Sequence, residues 1–94
     1  MTKNKTDTEE LMKSNHRNVE LIAKQYQNRG LTMEQLIEEG NKGLIYAAER
    51  FASSKGLTFM GYASWMVRMS ILQAIAAILQ GAPIPKKFVP RNRN

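Results

Sequence analysis

The chain has 94 residues, a single histidine and no cysteine, which excludes a disulfide scaffold, a thiolate metal site and a histidine metal cluster and leaves room for one modest core. Its formal net charge of +6 is unevenly placed: residues 1–49 carry seven basic and eight acidic side chains, and residues 50–94 carry seven basic and none acidic. A polyanionic partner is expected for the C-terminal half and another surface, such as a protein contact, for the near-neutral N-terminal half, with a solvated basic face as the plainer alternative.

The N-terminus, Met1-Thr-Lys-Asn-Lys-Thr-Asp7, lacks the apolar run of a signal peptide. Thr6 followed by Glu9 reads as a capping box, after which Leu11, Asn15, Val19, Ile22, Ala23 and Tyr26 mark one face of a helix. That helix is expected to end near Arg29-Gly30, with Gly30 as its C-cap. His16 reads as a polar residue on its surface. Thr32 with Gln35 makes a second capping box, opening a helix that buries Leu36 and Ile37 and reaches Gly40. Helical spacing resumes at Leu44, Ile45, Ala48 and Phe51, and Gly40 with Gly43 predicts a kink or break between the two pieces. Residues 52–56 are a loop by composition.

Thr58 caps a long helix through Leu79, stopped by Gly81, Pro83 and Pro85. At about 100° per residue, Val67, Ile71, Ala74, Ile75 and Ile78 share a core-facing side. Tyr62, Trp65, Met66, Met69, Gln73, Ala76 and Gln80 fall opposite, with Arg68 at the edge. Aromatic rings stack on nucleobases and cations meet phosphates, so this second face suits nucleic acid. The uncharged stretch from Met69 to Pro85 is too short in its helical part, and too rich in Ser70, Gln73 and Gln80, to span a membrane. Residues 84–94 show no periodicity and are expected to form an extended or disordered basic tail. The expectation is an all-α, cytoplasmic, single-domain protein with an N-terminal flank at 1–9, a helical domain at 10–83 and a basic tail at 84–94.

Four motifs in order and register, Asn15-His-Arg-Asn-Val19, Ile22-Ala-Lys-Gln-Tyr-Gln-Asn-Arg-Gly-Leu31, the run from Leu36 to Phe51, and the run from Phe59 to Ile71, resemble region two of the bacterial housekeeping-type sigma factors. The resemblance implies a compact helical domain, binding to the clamp of core RNA polymerase, and recognition of the minus-ten promoter element. Gln35, Glu38, Glu39, Asn41 and Ile45 match positions that grip a coiled coil of the largest polymerase subunit. Glu38 and Glu39, ahead of the expected break, would be presented as paired carboxylates for Arg or Lys, or else belong to a solvated helix face. No nucleophile or metal ligand accompanies them, so an enzyme is not expected, and neither is a cofactor.

The resemblance also implies that Tyr62 stacks on a flipped adenine of the non-template strand and that Trp65 abuts the upstream fork. Lys55 and Arg68 would hold phosphates, Gln73 would face the element, and Asn15 would line the pocket for a second flipped base. Lys86 and Lys87, with Arg91 and Arg93, restore charge where the family often has arginine at the positions of Gln80 and Pro83. Phe59 also matches a promoter-opening position but reads first as core.

Met66 stands where the family usually has a second tryptophan, and Leu57 where an aromatic helps enclose the flipped base, so weaker strand opening is expected. Met69 and Leu72 replace polar residues and offer nothing to base edges, so little discrimination is expected at the upstream base pair of the element. The sequence stops where a full sigma factor would continue, which fits a fragment or a stand-alone domain. A sigma-type initiation domain is the leading reading. A degenerate sigma-like regulator that binds polymerase or a protein partner without opening DNA is the alternative, and self-association through the Tyr62, Met66 and Met69 face is a third.

Overall fold

The computed structural model describes residues 5–51 and 58–88, the side chains of residues 5–12 and of Ser14 excepted. The Thr6 and Glu9 capping box, the Leu11 side chain, Lys55, Leu57, Arg91 and Arg93 lie outside the described parts. Three helices follow one another, α1 (Lys5–Lys24), α2 (Met33–Arg50) and α3 (Phe59–Leu79). No strand occurs among the described residues, in line with the all-α expectation.

α1 ends earlier than its apolar spacing suggests. Its last turn tightens, with the Gln25 N–H on the Ile22 carbonyl and the Tyr26 N–H on the Ala23 carbonyl, both at 3.0 Å. Asn28 then adopts φ +67° and Gly30 φ +112°, so the chain reverses through two left-handed residues, and Gly30 sits beyond the helix end instead of capping it. Tyr26 still packs against the core, but from the turn.

The second capping box forms as expected. The Thr32 hydroxyl accepts the Gln35 N–H at 3.1 Å and the Gln35 side chain accepts the Thr32 N–H at 2.8 Å. The expected kink does not: α2 runs unbroken from Met33 to Arg50, because Gly40 and Gly43 face inward and serve helix packing. A Cβ built on Gly43 would stand 2.3 Å from the Met66 carbonyl oxygen, and one on Gly40 would stand 2.9 Å from Val19 Cγ1 and 3.2 Å from Val67 Cγ1. Their missing side chains let α3 and α1 approach the α2 backbone. One step along this contact the buried Ser70 hydroxyl donates to the Glu39 carbonyl at 2.6 Å. Leu36 is fully buried, whereas Ile37 is only partly covered.

α3 opens on Thr58, whose hydroxyl accepts the Gly61 N–H at 3.1 Å, and stops at Gly81, φ +71°. Val67, Ile71, Ala74 and Ile75 reach the core as their spacing predicts. Two neighbours differ: Met66, expected outside, is buried, and Ile78, expected inside, is 40% exposed. The buried arc is turned toward Met66 and Ser70 because α2 makes its closest approach there. By length and composition alone α3 could cross a membrane, but 44% of its apolar window is buried inside the fold. α1 is fastened to α3 by Asn18, whose side-chain amide donates to the Ser64 hydroxyl at 2.7 Å.

Residues 82–88 form no helix or strand, yet they are packed down. Lys42 Nζ lies 3.0 Å from Glu39 Oε1 and donates to the Pro85 carbonyl at 3.0 Å. Phe88 is buried and meets the Tyr46 ring edge-on at 5.4 Å, while the Arg50 guanidinium stands 4.7 Å from the same ring. Ile84 packs against the core. The start of the basic segment is therefore a strap tied to α2.

Replacing Gly43 with Ala, which in an exposed helix would stabilise by about 1 kcal/mol, is expected here to destabilise by about 2 kcal/mol or more, because the new methyl meets backbone that cannot give way. Urea unfolding measures the difference, and an unchanged midpoint would show that the α2–α3 approach is looser than this packing requires. Replacing Lys42 with Met leaves the buried Glu39 carboxylate without its cation and is expected to cost about 1–3 kcal/mol. The double variant Glu39→Gln/Lys42→Met should recover much of that loss, which a purely steric role for Lys42 would not allow.

Candidate nucleic-acid interface

Helical geometry sorts α2 into two sides. Leu36, Gly40, Gly43, Leu44 and Ala47 are buried, and the opposite stripe runs Glu34, Glu38, Asn41, Ile45 and Glu49. Glu34, Glu38, Ile45 and Glu49 are exposed and Asn41 is half-buried. This surface is acidic with one apolar residue, Ile45, between Glu38 and Glu49. Of the residues expected to grip polymerase, Glu38, Asn41 and Ile45 share the stripe, and Gln35 lies at its edge with its side-chain oxygen already holding the Thr32 N–H.

Glu39 does not join them. It lies about 100° around the helix from Glu38, is 6% exposed, and is matched to Lys42. The expected carboxylate pair is thus divided into one outward acid and one inward anchor for the strap. Glu34 and Glu49, which complete the outward stripe, were legible only as members of an i, i+4, i+7, i+11, i+15 series.

On α3 the residues at one side are Tyr62, Trp65, Met69, Leu72, Gln73, Ala76 and Gln80. Trp65 is 56% exposed, an unusual state for the largest apolar side chain in a fold this size. From Trp65 to Gln80 this side forms one wall of an open groove of about 630 Å³, and Pro83, Pro85 and Phe88 of the strap form the other. Gln73 and Gln80 are the amide-bearing residues lining it, and Lys86 and Lys87 are exposed on the strap beside it. Phe88 was not legible as a wall of this groove, because no periodicity connects it to α3.

Tyr62 stands apart from the groove. Its ring is 6.0 Å from Phe51, which meets Phe59 edge-on at 5.4 Å, so the three rings form one cluster at the N-terminal end of α3. Burial pushes the Tyr62 phenol above its ordinary value, the neighbouring Tyr46 adds to the rise, and Arg50 opposes it. The phenol therefore stays neutral at physiological pH and can stack without a charge. Phe59 packs against the core, as its reading as a core residue anticipates.

Two of the expected nucleic-acid contacts are held within the fold. Asn15 is 4% exposed on α1, because its helix position falls on the inward side with Val19 and Ile22. Arg68 Nη1 donates to Gln25 Oε1 at 2.7 Å and to the Tyr26 hydroxyl at 3.3 Å, so its guanidinium closes the α1–α2 turn onto α3. Lys55 lies outside the described residues. Trp65 and Gln73 line one groove, Lys86 and Lys87 are exposed on the strap between its lining residues Pro85 and Phe88, and Tyr62 lies outside it. Among the described residues no cluster of His, Asp or Glu could hold a metal ion.

Comparison with known proteins identifies the family. The family described as Sigma-70 region 2 matches residues 11–77. The RNA polymerase sigma factor SigA of Microcystis aeruginosa is 52% identical over 68 residues, covering 72% of this chain and 16% of that protein. SigA of Nostoc sp. is 50% identical over 68 residues, covering 72% of this chain and 17% of its own length. The RNA polymerase sigma-C factor of Nostoc sp. is 43% identical over 77 residues, covering 82% of this chain and 18% of its own length. The chain thus spans under a fifth of these curated relatives, and the shared part runs from α1 through nearly all of α3. With most of its length matched and three helices presenting an acidic stripe on one side and an aromatic groove on another, the chain belongs to the sigma-70 region 2 family.

Proposed function

We propose that this chain acts in transcription initiation as a sigma-type domain, binding core RNA polymerase through α2 and the non-template strand of the minus-ten element through α3. The observation that carries the reading is the outward Trp65 beside Gln73, Lys86 and Lys87, on a different side of the fold from the Glu34, Glu38 and Ile45 stripe. Separate surfaces allow both partners to be held at once. The outward acids of α2 suit charge-assisted bonds from Arg or Lys on a polymerase coiled coil, with Ile45 as the apolar anchor between them. On α3, a ring at Trp65 or Tyr62 replaces base stacking lost when a strand is unpaired, and the strap lysines meet phosphates. The work is binding without covalent chemistry, in the bacterial cytoplasm.

A second reading has its own support. Met69 and Leu72 line the groove where base-edge recognition needs donors and acceptors, Met66 is buried, and Arg68 is engaged in the fold. These features suit a regulator that keeps the polymerase contact and opens no DNA. Binding of single strands separates the two readings.

Trp65→Ala is expected to lower affinity for a non-template minus-ten oligonucleotide about 5- to 150-fold, and Tyr62→Ala similarly, because each removes one stacking surface. Trp65→Ala should leave the unfolding midpoint almost unchanged, since that side chain is more than half exposed. Replacing Lys86 and Lys87 with Gln should instead flatten the logarithmic salt dependence by about 1.4, two single-strand phosphate contacts at about 0.7 each. Fluorescence titration reads all three. If none of these variants differs from wild type, the regulator reading stands. Glu38→Lys combined with Ile45→Asp is expected to abolish capture of core polymerase while helicity persists, and retained capture would remove the α2 stripe from the account.

A further inference from the structure

The outward side of α3 has a spacing that nucleic-acid binding does not require. Tyr62, Trp65, Met69, Leu72, Ala76 and Leu79 follow one another at intervals of three, four, three, four and three, which places them at the a and d positions of three consecutive heptads. The d residues Trp65, Leu72 and Leu79 are 56%, 36% and 77% exposed. Stacking on bases uses rings, and Leu72, Ala76 and Leu79 offer none. An open seam of this period is shaped to receive a second helix, and the strap residues Pro83, Pro85 and Phe88 give it a raised edge.

Charge selects the occupant. Across residues 58–88 the charged side chains are Arg68, Lys86 and Lys87, with no carboxylate. Arg68, its guanidinium bonded to Gln25 and Tyr26, stands at one edge of the seam and keeps its charge there, and the two lysines are exposed on the strap that edges the other. A second copy of this chain would bring the same cations against them, whereas a helix with acidic flanks would meet opposite charge on both sides. We propose that the α3 seam docks an amphipathic helix of a partner protein, apolar at a and d and acidic at the flanking positions.

The inference is independent of DNA recognition by the same groove, so its test uses no DNA. The probe is a synthetic 21-residue peptide of three heptads, with Leu at a and d and Glu at e and g, whose own like charges oppose self-association. Trp65, the sole tryptophan of the chain, reports binding by fluorescence. The expected result is saturable binding at least about tenfold tighter than that of the same peptide with Lys at e and g. Leu72→Glu and Leu79→Glu should each weaken it about tenfold or more. Met60→Glu, at an exposure between those of Leu72 and Leu79 but on the other side of α3, should not. Circular dichroism confirms that the variants fold. Equal binding of the two peptides, no binding of either, or equal effects of Leu72→Glu and Met60→Glu would overturn the proposal. So would sedimentation showing a wild-type dimer that Leu72→Glu makes monomeric, which would assign the seam to a second copy.

Discussion

The rest of the structure depends on the absence of a side chain at Gly43. With only a hydrogen there, the α3 backbone at Met66 comes within a distance that no Cβ could tolerate. Gly40 repeats the device on the side of Val19 and Val67. The close approach brings Ser70 onto the Glu39 carbonyl and fixes the rotation of α3 about its own axis. That rotation buries Met66 and Ala63 and turns Trp65 outward. A helix this apolar has more surface than a three-helix core can cover, and the glycine contact decides which part is left over.

Once α2 and α3 are locked, the remaining contacts assign each outward face. Asn18 and Arg68 hold α1 and its following turn against α3 from one side. Lys42 holds the strap from the other, by bridging the buried Glu39 carboxylate to the Pro85 carbonyl. The acidic stripe of α2 and the groove of α3 thus belong to one packed unit but point to different partners. The charge asymmetry of the sequence is its one-dimensional trace: every carboxylate lies before residue 50. A partner for the groove therefore encounters cations alone, and a partner for α2 encounters acids around Ile45.

Much of this was legible in the sequence where the signal is local or periodic. Capping pairs at Thr32 and Gln35, the start of α3 at Thr58 and its stop at Gly81 follow from chemistry within a few residues. So does the burial of Val67, Ile71, Ala74 and Ile75, which needs only helical spacing. The glycines misled because Gly in a helix signals either a break or a close approach, and only the tertiary contact distinguishes them. The contacts that Glu39 and Arg68 make within the fold were illegible for a related reason. Each finds a side-chain partner within the fold, 3 and 43 residues away in sequence respectively, and only the tertiary contact shows the second. Phe88 and the strap were illegible because a segment without periodicity carries no sign of what it packs against.

The central claim is that α2 and α3 present two separate surfaces on one rigid domain, and a nuclear magnetic resonance titration tests it most directly. Isotope-labelled protein is titrated with a single-stranded non-template minus-ten oligonucleotide, and amide and indole shifts are followed residue by residue. The account predicts changes at the Trp65 indole and along Tyr62, Met69, Gln73, Lys86 and Lys87, with Glu34, Glu38 and Ile45 unmoved. Binding that shifts the α2 stripe and leaves the Trp65 indole in place would contradict it.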